Sequence, residues 1–385
     1  MVEKNKCISI IFWKLSGYEI LGIVSFNPLS LFVELKHLLN FEGRIIIIGV
    51  AAKSFAAGKI EHKGNRLTRR LTMEQKKIIP VFYAIDDNYI PFLHVSLLSL
   101  KDKVSAGNKY KIHILSSDVK KEHEKCILDL ADENFEIAFE DVSDKIERFS
   151  GNLKLRDYYT LTTYYRIFIA GMFPEYDKAV YLDSDTAVLC DVAKLYDTEL
   201  GDNLIAGVPD GAVGSVPPFQ VYTKKVLGID ASRYFNAGII VMNLKKFREE
   251  DFYGQFNALL AKYKFRVAQD QDYLNVLCKD RVIYLPEEWN AMPIRTNSAK
   301  KIADPKIVHY NLTAKPWHYD NLAYEEYFWN YAKKSPYYDY IVGLKNAFTE
   351  EDKKKDEECE KGLVALTIEE AENPENYFNK YCAKA

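Results

Sequence analysis

The chain has 385 residues, 48% of them hydrophobic, with a formal net charge of −3. That describes a folded protein with more residues than one ordinary core needs, so one large α/β domain with additions is expected. The near-neutral charge points away from nucleic acid, and no apolar run approaches the roughly 18 residues of a membrane span. Six scattered cysteines with no Cys-x-x-Cys argue against a disulfide scaffold or zinc module and for a reduced, cytoplasmic setting.

Residues 1–72 differ from the rest. They hold 11 Lys and Arg against 5 Asp and Glu, a net +6, whereas the remainder holds 41 against 50, a net −9. Short apolar runs occur at 8–13, 21–26 and 45–51, without a sustained helical or strand period. Three readings stay open: a basic extension that associates peripherally with the inner face of a membrane, a small N-terminal domain, or a start placed upstream of a true start at Met73. A signal peptide is not expected, because its charged, apolar and cleavage parts are not all present. The chemistry is expected downstream, so a chain beginning at Met73 should fold and act as the full chain does. Residues 73–320 are expected to form the catalytic domain and 321–385 a helical C-terminal region.

From residue 78 the pattern is regular. A strand is predicted over 78–85, then a helix over 90–100 that Asp87 or Asn88 could cap. Strand 110–115, helix 118–131 and strand 135–139 follow. A helix is predicted over 160–170, ending near Gly171 and Pro174, before an apolar strand over 179–182. Another buried strand is expected over 237–242, helices over 245–263 and 271–278, and a last short strand over 306–310. Beyond Pro316 the chain is Tyr-rich and helical, and the mixed-charge run 350–361 reads as a solvated helix face. Strands alternating with helices imply a single mixed, mostly parallel sheet with helices on both faces.

The most telling stretch is Tyr181-Leu182-Asp183-Ser184-Asp185. Side chains two apart on an extended chain point the same way, so Asp183 and Asp185 can converge on one hard cation at the carboxyl end of a strand. A solvated turn is the bland alternative. Ala84, Asp86 and Asn88 end the first strand, where a small residue leaves room for a flat ring and polar groups can read its edge. Capping of the next helix would explain Asp87 and Asn88 equally well. No glycine-rich phosphate loop is present, so the phosphates of a nucleotide would be neutralised by metal and side chains. Arg166, in Thr163-Tyr164-Tyr165-Arg166, is an Arg in an apolar setting that must be paired, either with phosphate oxygens or with Asp183. Asn236 precedes Ala237 and Gly238 at a strand entry. Asp270 and Gln271 open a helix, where acidic residues are favoured for electrostatic reasons alone. His309 ends a strand and can be a third metal ligand, and Lys315 lies six residues on.

In this order the motifs resemble the retaining glycosyltransferases of family eight, which include glycogenin and bacterial lipopolysaccharide galactosyl- and glucosyltransferases. The resemblance spans about residues 79–320. It implies a GT-A fold, a UDP-sugar donor carrying glucose or galactose, a glycan or glycolipid acceptor, and Mn2+ with Mg2+ as the alternative ion. By position it implies that Ala84, Asp86 and Asn88 hold uridine and ribose, and that Asp183, Asp185 and His309 ligate the metal. Arg166, beside Thr163, and Lys315 would meet phosphates or donor sugar, while Asn236, Asp270 and Gln271 would face the donor sugar. Leu312 departs from the pattern, since many members carry Gly there. Gln271 is a neutral amide and a poor nucleophile, so same-face attack is favoured over double displacement through Asp270. Two further readings are a haloacid-dehalogenase phosphohydrolase and a sugar-nucleotide-binding protein without catalysis. The first wants Thr four residues after Asp183, where Ala187 stands. Because close carboxylates repel, loss of Asp183 or Asp185 is expected to leave the metal-free protein no less stable.

Overall fold

The computed structural model describes the strands within residues 7–46, and residues 76–147, 161–293 and 301–383. The chain divides into two compact units, residues 1–75 and 76–385. In the first, β1 (Cys7–Leu15), β2 (Tyr18–Phe26), β3 (Val33–Leu39) and β4 (Ile45–Ile46) form an antiparallel sheet in that order. The sequence reading found no strand period here. Apolar residues in β1 and β2 sit at adjacent as well as alternate positions, which hides the period of two.

The second unit carries β5 (Lys77–Ala84), β6 (Asn108–Ser116), β7 (Phe135–Asp141), β8 (Ala179–Leu182), β9 (Thr186–Val188), β10 (Ile205–Pro209), β11 (Phe235–Met242), β12 (Val282–Tyr284) and β13 (Ile307–His309). Seven of these form one sheet in the order β12-β10-β11-β8-β5-β6-β7. Only β11 runs against its neighbours β8 and β10; the other pairings are parallel. β9 and β13 form a small antiparallel ladder beside it, pairing Thr186 with His309.

The sheet is buried on both faces, which is why its central strands read as unbroken apolar runs. Phe82 and Tyr181 join the core on one face, with Ile240 and Met242. Val81, Tyr83, Val180 and Leu182 join the other, against Leu93 and Leu97 of the helix Ile90–Lys101. A third cluster around Trp317, Phe328 and Tyr331 seats the C-terminal helices, and Trp317 stacks on Phe92 at 3.8 Å.

Three short strands, β9, β10 and β12, escaped the sequence reading. The helix expected over 245–263 is two, Leu244–Glu249 and Phe252–Lys262. Asp251 between them takes a left-handed conformation with φ 49° and caps the second helix through Gly254 N–H at 3.1 Å. The stretch expected to be an α-helix over 160–170 is 3-10 from Leu161 to Phe168 and α only over Ile169–Met172, residue 160 lying outside the described residues. Its Thr and Tyr content is poor for an α-helix. The described cysteine side chains are all free, and among the described residues no helix is long and apolar enough to cross a membrane.

Candidate active site

Strand direction brings the site together. β8 ends at Leu182 and delivers Asp183. Antiparallel β11 begins at the same level, so Asp183 N–H donates to Gly238 O at 2.7 Å. β13 ends at His309 opposite Thr186, which places the imidazole beside Asp185. One ligand atom from each of Asp183, Asp185 and His309 lies within 4.8 Å of the others. His309 Nε2 is 3.3 Å from Asp185 Oδ1 and 3.7 Å from Asp183 Oδ2. Neither Asp185 Oδ1 nor His309 Nε2 has a hydrogen-bond partner, although both are buried. Buried polar atoms left bare on converging ligands are what a cation site requires.

Gly238 makes the convergence feasible. A Cβ there would lie 2.6 Å from Asp183 Oδ2 and closer still to the His309 ring. The proton on His309 is placed by a relay of amides. His309 Nδ1 donates to Asn290 Oδ1 at 3.1 Å, Asn290 Nδ2 to Asn236 Oδ1 at 2.9 Å, and Asn236 Nδ2 to Asp210 Oδ2 at 3.0 Å. Every donor in this chain points toward the Asp210 carboxylate. The Nε2 lone pair therefore faces the two aspartates. Asn290→Ala should weaken metal affinity by about 10–100-fold without changing the ligand set. A direct metal-binding titration checks this; an unchanged midpoint would detach Asn290 from the site.

Among the described residues, two buried cations are held on these carboxylates. Arg166 lies over the Tyr181 ring at 4.3 Å, with Nη2 3.2 Å from Asp183 Oδ1 and Nε 3.1 Å from Asp270 Oδ2, and Nη1 donates to Ala237 O. Lys315 Nζ donates to Asp185 and, at 2.6 Å, to Tyr310 O. Burial pushes the Asp185 carboxyl up, but the Lys315 ammonium outweighs it and holds the group well below the usual carboxylate range. Asp270 goes the other way. Burial raises it to about 6 although Arg166 opposes the shift.

Two lobes of one cleft meet at Thr163, Arg166, Asp183, Asn311 and Leu312. The first lobe is lined by Ala84, Asp86, Tyr89, Asp185 and Lys315. Asn88 is exposed and does not line it; its backbone N–H donates to Asp86 Oδ1 at 3.0 Å. Asp87 is engaged by His123 Nδ1 at 2.7 Å and by Lys120. The second lobe has a polar floor of Asp210, Asn236, Asp270 and Gln271. Gln271 accepts Ala237 N–H at 2.9 Å and donates to Asp210 Oδ2 at 3.2 Å. Leu312 has φ 50°, the left-handed turn that glycine would take without cost, so the loop keeps this path despite its side chain.

Sequence reading missed Asp210, Asn290 and Asn311. Asp210 directly follows β10, whose Gly207 and Pro209 disguised it as a loop. Asn290 ends the 3-10 turn Glu287–Asn290, and Asn311 lies between His309 and Lys315, where the sequence reading gave it no role of its own.

A model of a known family, described as "Glycosyl transferase family 8", matches residues 80–321. The chain belongs to this family. It is a hexosyltransferase by class, and the phosphohydrolase reading is set aside. A putative glycosyltransferase of Haemophilus influenzae is 28% identical over 246 residues, covering 62% of this chain and 72% of that one. The lipopolysaccharide 1,2-glucosyltransferase of Escherichia coli is 24% identical over 273 residues, covering 65% and 76%. The crystal structure of the galactosyltransferase LgtC, with donor and acceptor sugar analogs, superposes with a TM-score of 0.55 at 28% identity, covering 70% of this chain and 96% of that one. Family and sheet topology agree on the GT-A fold.

Proposed function

We propose that the protein transfers glucose or galactose from a UDP-hexose to a glycan or glycolipid hydroxyl with retention, using Mn2+ held by Asp183, Asp185 and His309. One observation carries this reading: the bare Asp185 Oδ1 and His309 Nε2 face each other where the two lobes meet. Two carboxylates and an imidazole suit Mn2+, with Mg2+ second because it prefers oxygen ligands alone. When bound, the ion offsets charge on the diphosphate as the glycosidic bond breaks.

The chain's own residues supply the rest. Ala84 leaves space for the uracil ring, and Asp86 accepts hydrogen bonds from base or ribose. Lys315, charged and paired with Asp185, offsets negative charge on the leaving UDP. Asp210, Asn236 and Gln271 hold donor hydroxyls from a floor that water reaches poorly. Asp270 is paired with Arg166 and deeply buried, which blunts it as a nucleophile, and both ends of the Gln271 amide are engaged. Same-face attack follows. The anomeric carbon loses its bond to phosphate oxygen and gains one to the acceptor oxygen, and the acceptor proton passes to the departing phosphate.

UDP release from UDP-glucose and UDP-galactose, with and without acceptor and with EDTA as control, tests the reading. Metal-dependent release supports it. Binding without turnover would favour a non-catalytic protein. The nucleoside lobe also predicts preference for a pyrimidine. With Mn2+ present, UDP should raise the melting temperature more than GDP or ADP, and equal shifts would count against a uracil pocket. We place the protein in the cytoplasm, with the net +6 of residues 1–72 suited to an anionic inner membrane face. Sedimentation with phosphatidylglycerol vesicles that is indifferent to these residues would remove that role.

A further inference from the structure

The 23-residue helix Glu350–Glu372 lies outside the family match, which ends at residue 321. Its N-terminus is fixed by a capping box between Thr349 and Asp352. It spans the second lobe. Near its start Asp356 accepts from Tyr319 OH at 2.7 Å, and one turn later Glu360 accepts from the Thr313 hydroxyl. Both partners belong to the segment that carries His309 and Lys315. Near its end Glu369 and Glu370 pair with Arg266 at 2.7 and 2.8 Å, and Glu370 accepts from Tyr263 OH at 3.0 Å. Those partners precede Asp270 and Gln271. The helix thus joins the two segments that flank the lobe, and between its anchors Leu363 lines the cleft.

The short helix Pro217–Tyr222 packs against it, and its Phe219 lines the same lobe. Phe219 and Leu363 are half-buried, and the Phe219 ring has no aromatic partner among the described residues. The floor beneath is polar and deeply buried: Asp210 is 4% exposed, Asn236 3% and Asp270 2%. The apolar pair is therefore more open to solvent than the floor of the lobe it lines. A pyranose presents polar edges and an apolar C–H face, and a half-exposed ring beside a polar floor offers the complementary surface.

We propose that Phe219 and Leu363 form the acceptor lip and that the acceptor group they receive is a hexopyranose, packed by its C–H face. The proposal rests on the glycosyl-transfer reading above. It makes the C-terminal helix a determinant of acceptor choice, although the donor motifs all lie before it.

The test uses the full chain with Mn2+, UDP-glucose and UDP-galactose, and a panel of methyl hexopyranosides and disaccharides as acceptor probes. At least one pyranoside should accelerate UDP release above acceptor-free hydrolysis. Phe219→Ala and Leu363→Ala should each raise the half-saturating pyranoside concentration about fivefold or more. Phe219→Tyr, which keeps the ring, should stay near wild type. The half-saturating donor concentration is the control, since a lip residue acts on the acceptor. Unchanged pyranoside saturation in both alanine variants overturns the lip. Hydrolysis of UDP-hexose that no pyranoside accelerates overturns the acceptor class while leaving glycosyl transfer standing. Absence of any UDP release would sink the transfer reading itself. A collapse of melting temperature in Leu363→Ala would pass the decision to Phe219→Ala against Phe219→Tyr.

Discussion

Asp185→Ala should lower UDP release by a factor on the order of 10³ or more, because it removes charge stabilisation worth several kcal/mol. It should also destabilise the metal-free protein. The sequence suggested the opposite, since two close carboxylates repel. In the structure they are already neutralised, Asp185 by Lys315 and Asp183 by Arg166. Lys315 is only 5% exposed, and its remaining polar contact is the Tyr310 carbonyl. Stranding a buried cation costs about 3–5 kcal/mol. Asp183→Ala should cost less, because Arg166 keeps Asp270 as a partner. The Asp185 carboxyl is held below its ordinary range, so its stabilisation is fully present at neutral pH and is lost as pH falls toward the native value. The melting-temperature gap between wild type and variant should therefore narrow on acidification. A variant as stable as wild type at pH 7 would show that Lys315 is not held by this pair.

Gly238→Ala should cut activity by about 10²-fold or more while preserving the sheet. The added methyl would collide with the Asp183 carboxylate and the His309 ring. β11 cannot yield easily, being hydrogen-bonded on both sides by β8 and β10, and His309 is fixed from behind by Asn290. The ligands must part instead, and metal affinity should fall with them. Melting temperature and the Mn2+ concentration for half-maximal UDP release would be compared with wild type. Wild-type values for both would mean that ring and carboxylate have room to spare.

The central strands and the Asp183–Asp185 pair were legible because unbroken apolar runs mark strands buried on both faces, and carboxylates at their ends stand out. Gly238 was visible only as a small residue in a motif. Its reason for being small needs the antiparallel register of β11 against β8, which no local pattern encodes. Asp210 was illegible because Ile-Ala-Gly-Val-Pro does not look like a strand, so the rule that singled out Asp183 had no strand end to act on. Arg166 was recognised as needing a partner. That it has two, with Asp270 as the second, depends on segments more than 100 residues apart in sequence meeting in space. The break at Asp251 was hidden because a capping aspartate with positive φ looks like any polar helix residue.

Mn2+ binding, followed by the loss of the free-ion electron paramagnetic resonance signal, tests the metal centre most directly. Wild type and His309→Ala would be titrated with and without UDP. Wild type should bind one ion, more tightly when UDP is present, and His309→Ala should bind markedly more weakly in both conditions. Superimposable titrations would place His309 outside the metal shell and contradict the site built on Asp183, Asp185 and His309.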